Sequence, residues 1–301
     1  MPAVNNSTAA HLGLLGTNLF FAINLSAVKY LTANGFMQPF GMNVIRVGVS
    51  VILFWVLYLF SKKRRPIDRA DIPRFLLCAL TGIAINQMLF LKGLSLTYPI
   101  HAVLLMLTTP ILITLTAAWV LKERLTLYRL AGLSLGVSGA LVLITARDHG
   151  GAGTNVWLGD LLVLVNAVSY TIYFILVKPL MLKYNPVQVI RQVFTWGMLM
   201  VLPFGWQEFT DIQWNSFGFT EYACISLIAV FGTFLAYLFN VYGIKVLGAG
   251  VAGSYIYIQP VFAAVIAMIF LHESLEWYKL AAAALIFSGV YLCNLKPSGE
   301  N

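Results

Sequence analysis

Residues 121–143 read LKERLTLYRLAGLSLGVSGALVL, and residues 271–293 read LHESLEWYKLAAAALIFSGVYLC. A shift of 150 aligns the two without a gap, and the same register holds from 90–144 against 240–294. Shared apolar composition accounts for some of the matches but not for Pro110 meeting Pro260, Glu123 meeting Glu273 and Gly139 meeting Gly289. The chain therefore contains an internal repeat, and a repeat constrains architecture more strongly than any local propensity. The earlier pairing of Leu12-Gly13 with Leu158-Gly159 needs a different shift and is the weaker signal.

The 301 residues are 60% hydrophobic and 10% charged, with a mean hydropathy of +0.84. Soluble domains carry about a quarter charged residues, so this composition describes an integral membrane protein and excludes a soluble enzyme, a fibre or a disordered chain. The net charge of +8 does not indicate a nucleic-acid partner, because the basic residues sit in loops between apolar runs. A helix needs about 20 apolar residues to cross a bilayer. Ten runs qualify, approximately 11–33, 39–60, 73–93, 98–121, 126–145, 157–178, 187–204, 221–244, 248–271 and 276–295, the seventh being the shortest.

Ten spans put both termini on one side. Most Lys and Arg fall there, including the run Lys62 to Arg65, while most acids, Asp160, Glu208 and Glu221 among them, fall on the other. The positive-inside rule then predicts cytoplasmic termini in a multi-pass protein of the plasma membrane. Met1 to Ala10 lack Lys and Arg, so a cleaved secretory signal is not expected. Each repeat holds five spans, an odd number, so the second copy must cross in the opposite sense. The expected domains are 1–148 and 149–301, an inverted pair with a substrate site near the midplane between them, as in secondary transporters.

The two quoted segments resemble the paired Glu-containing motif that closes each half of ten-helix transporters of the drug/metabolite transporter superfamily, EamA type. The resemblance extends over the whole chain in span number and order. It implies an all-α integral membrane fold of ten transmembrane helices in two inverted five-helix repeats, working by alternating access. It also implies that helices 1, 3, 4, 6, 8 and 9 surround a central path, helices 2 and 7 flank it, and helices 5 and 10 pack outside. Members export amino acids, nucleosides, drugs and other metabolites, so the motif settles the fold and leaves the cargo open.

Polar side chains at membrane depth are costly unless they face a cavity or a partner. They mark Asn18, Asn24, Lys29, Gln87, His101, Thr109, Tyr170, Tyr173, Asn240, Tyr257 and Gln259 as candidate substrate contacts, the competing role for each being an interhelical hydrogen bond of about 1 kcal/mol. Tyr170 and Tyr173 share a helix face, whereas Tyr255 and Tyr257 do not. Pro110 and Pro260 each remove a backbone donor, freeing carbonyls at Met106 and Ile256, and are read as a symmetric pair of hinges; a static kink is the alternative. Gly132, Gly136 and Gly139 form a packing face, read as intramolecular. Cys78, Cys224 and Cys293 are scattered in apolar runs and read as small core residues.

No Asp or Glu is expected near the midplane of any span, which disfavours proton-coupled export of lipophilic cations. Lys29, Arg46 and His101 lie in the half of the membrane away from the termini. They either snorkel or pack, or else offer a cation and donors to an anionic or zwitterionic cargo. Amino acids and related metabolites therefore lead, with nucleosides and cationic drugs as alternatives. An intramembrane enzyme would need a metal set or a nucleophile with its base, and no span contains such a cluster. A receptor would need larger loops, and direct ATP use would need a P-loop. No cofactor is expected, and the partners are a small-molecule substrate and the lipid bilayer, with the protein a monomer.

Overall fold

Hydrocarbon offers no hydrogen bonds to a peptide group, so a spanning segment must satisfy its backbone internally. The apolar runs accordingly fold as helices, and no strand occurs among the described residues. The structure is a computed structural model and describes residues 6–60, 65–109, 112, 127–145, 153–247, 255–270 and 275–294. Within these residues there are ten helices: α1 Asn6–Ala33, α2 Pro39–Leu59, α3 Arg69–Leu96, α4 Pro99–Met106, α5 Leu127–Thr145, α6 Val156–Lys183, α7 Pro186–Thr210, α8 219–247, α9 Gln259–Phe270 and α10 Trp277–Asn294. Six of them, α1, α2, α3, α6, α7 and α8, are long and apolar enough to cross a membrane. The expected spans 98–121 and 248–271 extend outside the described residues, as do Glu123, Glu273 and Pro110.

Helix boundaries follow local chemistry. Gly35 adopts φ +72° just past the end of α1, the left-handed position that favours glycine. The Asn155 and Asn185 side chains accept from the Leu158 and Val187 amides and so cap α6 and α7. The seventh helix is longer than its apolar run suggests, continuing to Thr210. The reason is Glu208, whose Oε2 accepts from the Phe40 and Gly41 amides at 2.6 and 2.9 Å and so caps α2 instead of ending α7.

The packing has a two-fold correspondence. Helix α2 packs on α7 and α5 on α10, while α3 on α6 matches α8 on α1, and α4 on α6 matches α9 on α1. Both α3 and α8 contain a π-helical stretch, at Leu80–Ala84 and Leu227–Leu235. In each stretch a glycine accepts a polar side chain from the facing helix. A Cβ on Gly82 would strike the Tyr173 ring, and one on Gly232 would lie 2.7 Å from Asn24 Cβ. Hydroxyls reach backbone carbonyls beside the widened turns, Ser169 Oγ donating to Thr81 O at 2.7 Å and Thr17 Oγ1 to Ala236 O at 3.3 Å.

The glycine face of α5 meets α10. A Cβ on Gly289 would lie 2.5 Å from Gly132 O, and one on Gly139 would lie 2.7 Å from Ile286 Cγ1. The face is thus consumed within the molecule, which leaves Ala282 and Ile286 as the knobs that fill it.

At the end away from the termini a charged cluster lies fully inside the protein. Asp160, 0% exposed on α6, accepts from the Thr97 hydroxyl and lies 2.9 Å from His101 Nδ1 on α4. Lys29 on α1 donates to Ser95 O at 3.0 Å and Thr97 O at 2.7 Å, holding the carbonyls at the end of α3. Lys279 on α10 sits over the Tyr98 ring at 4.8 Å. The opposite end is tied by Lys183, which pairs with Asp68 and Asp71 at 2.5 and 2.6 Å, and by Tyr184 donating to Asp71 at 2.6 Å.

Two stability predictions result. Gly289→Ala should cost about 1–3 kcal/mol through overpacking, whereas Gly16→Ala, whose nearest neighbour stands 3.9 Å away, should be neutral; thermal unfolding of the detergent-purified protein distinguishes them. Asp160→Ala should cost about 3–5 kcal/mol, because it strands a buried imidazole and hydroxyl, and Asp160→Asn should cost less in the same assay. Equal unfolding temperatures for wild type and Asp160→Ala would contradict the role given to this cluster.

Candidate functional site

Distance along the helices locates the polar groups in depth. Asn24 lies nine residues from the end of α1 and Gln87 nine from the end of α3, each about 14 Å at 1.5 Å per residue. That is near the middle of a core about 30 Å thick. Facing them at comparable depth are Tyr170 and Tyr173 on α6, whose ring centroids are 5.7 Å apart. Tyr237 on α8 packs edge-on against Phe194 at 5.3 Å and Phe21 at 6.4 Å, within electrostatic reach of Tyr170, Tyr173 and Arg46.

Several of these groups are buried without satisfying their hydrogen-bonding capacity. Asn24 Oδ1 and both amide atoms of Gln87 have no partner; the Gln87 amide lies beside the Tyr237 hydroxyl but outside hydrogen-bond geometry. Leaving a buried donor or acceptor unmade costs about 1–3 kcal/mol, and their concentration at the junction of α1, α3, α6 and α8 is what distinguishes this region. Other polar residues of the same helices are spent on the scaffold. Asn86 and Asn166 exchange side-chain-to-backbone bonds of 3.3 and 2.7 Å that clasp α3 to α6, and Asn18 donates to Leu14 O of its own helix at 2.8 Å.

The remaining candidates are dispersed. Lys29 and His101 belong to the cluster at the far end, with the partners given above. Asn240 is half-buried on α8, and Gln259 is buried at the start of α9. Thr109 is half-buried and follows a turn in which the Leu107 and Thr108 amides bond three residues back, at 3.1 and 3.0 Å. The 3-10 turn Tyr255–Ile258 occupies the corresponding position before Pro260. Pro260 is the second residue of α9, where a proline fits because no amide is required; the part of the expected span before residue 255 lies outside the described residues. Pro110 and the side chains of Tyr257 and Pro260 lie outside the described residues. At the terminus side, the Tyr255 hydroxyl lies 2.6 Å from His11 Nδ1, joining the turn before α9 to α1.

Reading by residue type did not single out Asn43 on α2 or the ionic role of Asp160. Both are 0% exposed. For Asp160 a signal exists, a carboxylate inside the apolar run 157–178 with a histidine early in the preceding half's fourth helix. For Asn43 the signal is its position one turn before Arg46 on a helix that the family resemblance puts beside the path.

The comparisons agree with this architecture. A solved crystal structure superposes with a TM-score of 0.58 at 18% identity, over 96% of this chain and 98% of that one, which shows the shared fold. The uncharacterized transporter YetK of Bacillus subtilis is 23% identical over 82% of this chain and 75% of its own length. A protein of Streptantibioticus cattleyicolor named "Probable terminal-alkyne amino-acid exporter" is 30% identical over 86% of this chain and 85% of its own length. The EamA-like transporter family model matches twice, at residues 8–145 and 157–295. Those two matches fall on the two groups of five helices whose contacts correspond pairwise, so the chain belongs to the EamA-like transporter family, a two-repeat helical membrane fold.

Proposed function

We propose that the protein is a secondary transporter exporting amino acids or related zwitterionic or anionic metabolites across the cell membrane. It acts by alternating access between inverted halves, residues 1–148 and 149–301, as a monomer with cytoplasmic termini. The observation that carries this reading is the unsatisfied Oδ1 of Asn24 together with the unsatisfied amide of Gln87, at mid-depth where helices of both halves converge on Tyr170, Tyr173 and Tyr237. A cargo with its own donors and acceptors would satisfy them, and the aromatic walls accept an apolar side chain. The amino-acid exporter among the relatives supports the cargo class.

In this reading Lys29, His101 and Asp160 serve at the far-end closure rather than as cargo contacts. Opening that end must break the contacts from Asp160 to His101 and Thr97, which join α6 of one half to α4 and the end of α3 in the other. The turns preceding Pro110 and Pro260 supply matched places for α4 and α9 to flex.

Flux into and out of proteoliposomes tests the proposal, with amino acids, nucleosides and a quaternary ammonium compound as cargo. Amino-acid flux should exceed the other two, and Gln87→Ala or Asn24→Ala should reduce it by about tenfold, the loss of one hydrogen bond to a charged or strongly polar group. Transport of the quaternary ammonium compound alone, or flux indifferent to both substitutions, would refute the reading.

A further inference from the structure

Arg46 is 5% exposed on α2, with Nε and Nη1 lacking any hydrogen-bond partner, and no carboxylate pairs with it among the described residues. A guanidinium does not escape burial by losing its proton, as a lysine or histidine does. The other half shows how such a charge is ordinarily accommodated. Arg191 also sits early in the second helix of its half, and its guanidinium stacks 3.8 Å from the Tyr58 ring centroid and 4.2 Å from that of Trp55. It also donates to Gln192 Oε1 at 3.3 Å. Arg46 has no such aromatic contact among the described residues.

A second unpartnered group lies beside it. Asn43 is fully buried, neither of its amide atoms is bonded, and three residues' separation places it on the same face of α2. Arg46 is packed among apolar side chains, Met37, Met42 and Ile45 on one side and Ile225 and Ile228 of α8 on the other. The surroundings are apolar and the charge is a single cation, which suits one monoanionic group carried on an apolar body. A phosphate, near −2 at neutral pH, would require a second cation. The planar fork of the guanidinium matches the two oxygens of a carboxylate.

We propose that Arg46 is the fixed cationic contact for a carboxylate on the cargo, with the Asn43 amide as its hydrogen-bonding companion. The proposal rests on the transport reading above and assigns the charged part of its site to α2, a helix expected only to flank the path. Until cargo arrives the charge is an uncompensated burden on the fold, so Arg46 opposes stability in the empty protein.

The test uses the full-length purified protein and three probes: 3-phenylpropionate, L-phenylalanine and phenethylamine. The first two should raise the unfolding temperature of wild type and the third should not; in Arg46→Gln all three should be inert. Without probe, Arg46→Gln should unfold about 2–4 °C above wild type, the reverse of what removing a structural arginine does. Arg46→Lys keeps the charge and loses the fork, so it should bind the carboxylate probes about tenfold more weakly. The proposal is overturned if Arg46→Gln unfolds below wild type, or if it and Arg46→Met both fail to fold. It is equally overturned if the carboxylate probes stabilise wild type and Arg46→Gln alike, or stabilise neither. Carboxylate stabilisation that depends on Arg46, found together with no flux of any amino acid, would instead refute the transport reading and leave the anion site standing.

Discussion

A polar group inside a bilayer has only the rest of the protein to bond, and the placement of side chains in this molecule follows from that scarcity. Lys29 holds carbonyls at the end of α3, Asp160 gathers a hydroxyl and an imidazole, and Asn86 and Asn166 clasp each other's backbones. Ser169 and Thr17 donate to carbonyls beside the π-helical stretches, where the regular ladder is interrupted. Each of these bonds crosses between helices, so satisfying polarity and setting helix position are the same event. A buried polar atom left without such a bond stands out against this pattern.

Among the described residues, those with buried side-chain atoms left unbonded include Asn24, Ser26, Asn43, Arg46 and Gln87, all on α1 to α3. Their opposite wall is the aromatic surface of α6 and α8, formed by Tyr170, Tyr173 and Tyr237. The two halves thus share a backbone plan while dividing the chemistry, the first supplying amides and a cation and the second supplying rings and hydroxyls. The division is clearest at the two arginines, since Arg191 lies against two aromatic rings of α2 and Arg46 has no such contact among the described residues.

The correspondence between halves also explains the glycines. Gly82 and Gly232, 150 residues apart, each yield space inside a π-helical stretch to a side chain of the facing helix. Gly139 and Gly289, also 150 apart, each let α5 and α10 approach to backbone contact. In both cases the duplicated residue works across the seam of helices, against an element from the other half, so duplication preserved interfaces and not merely helices.

The residues by themselves determined the membrane class, the repeat and the helices with strong apolar runs, because hydrocarbon length and the absence of solvent hydrogen bonds act on any twenty-residue window regardless of its neighbours. They also marked Asn24, Gln87, Tyr170 and Tyr173 as polar at depth. They did not separate a side chain that bonds a neighbouring helix from one that lacks a partner, since Asn86 and Gln87 are adjacent amides whose contrast depends on what α6 and α8 present. Nor did they reveal that Glu208 caps α2 and so lets α7 run on to Thr210, or that Asp160 and His101 meet across 59 positions of chain. Those outcomes were decided by tertiary packing, because whether a polar group is satisfied is a property of the pair, and the partner is brought into reach only when the helices assemble.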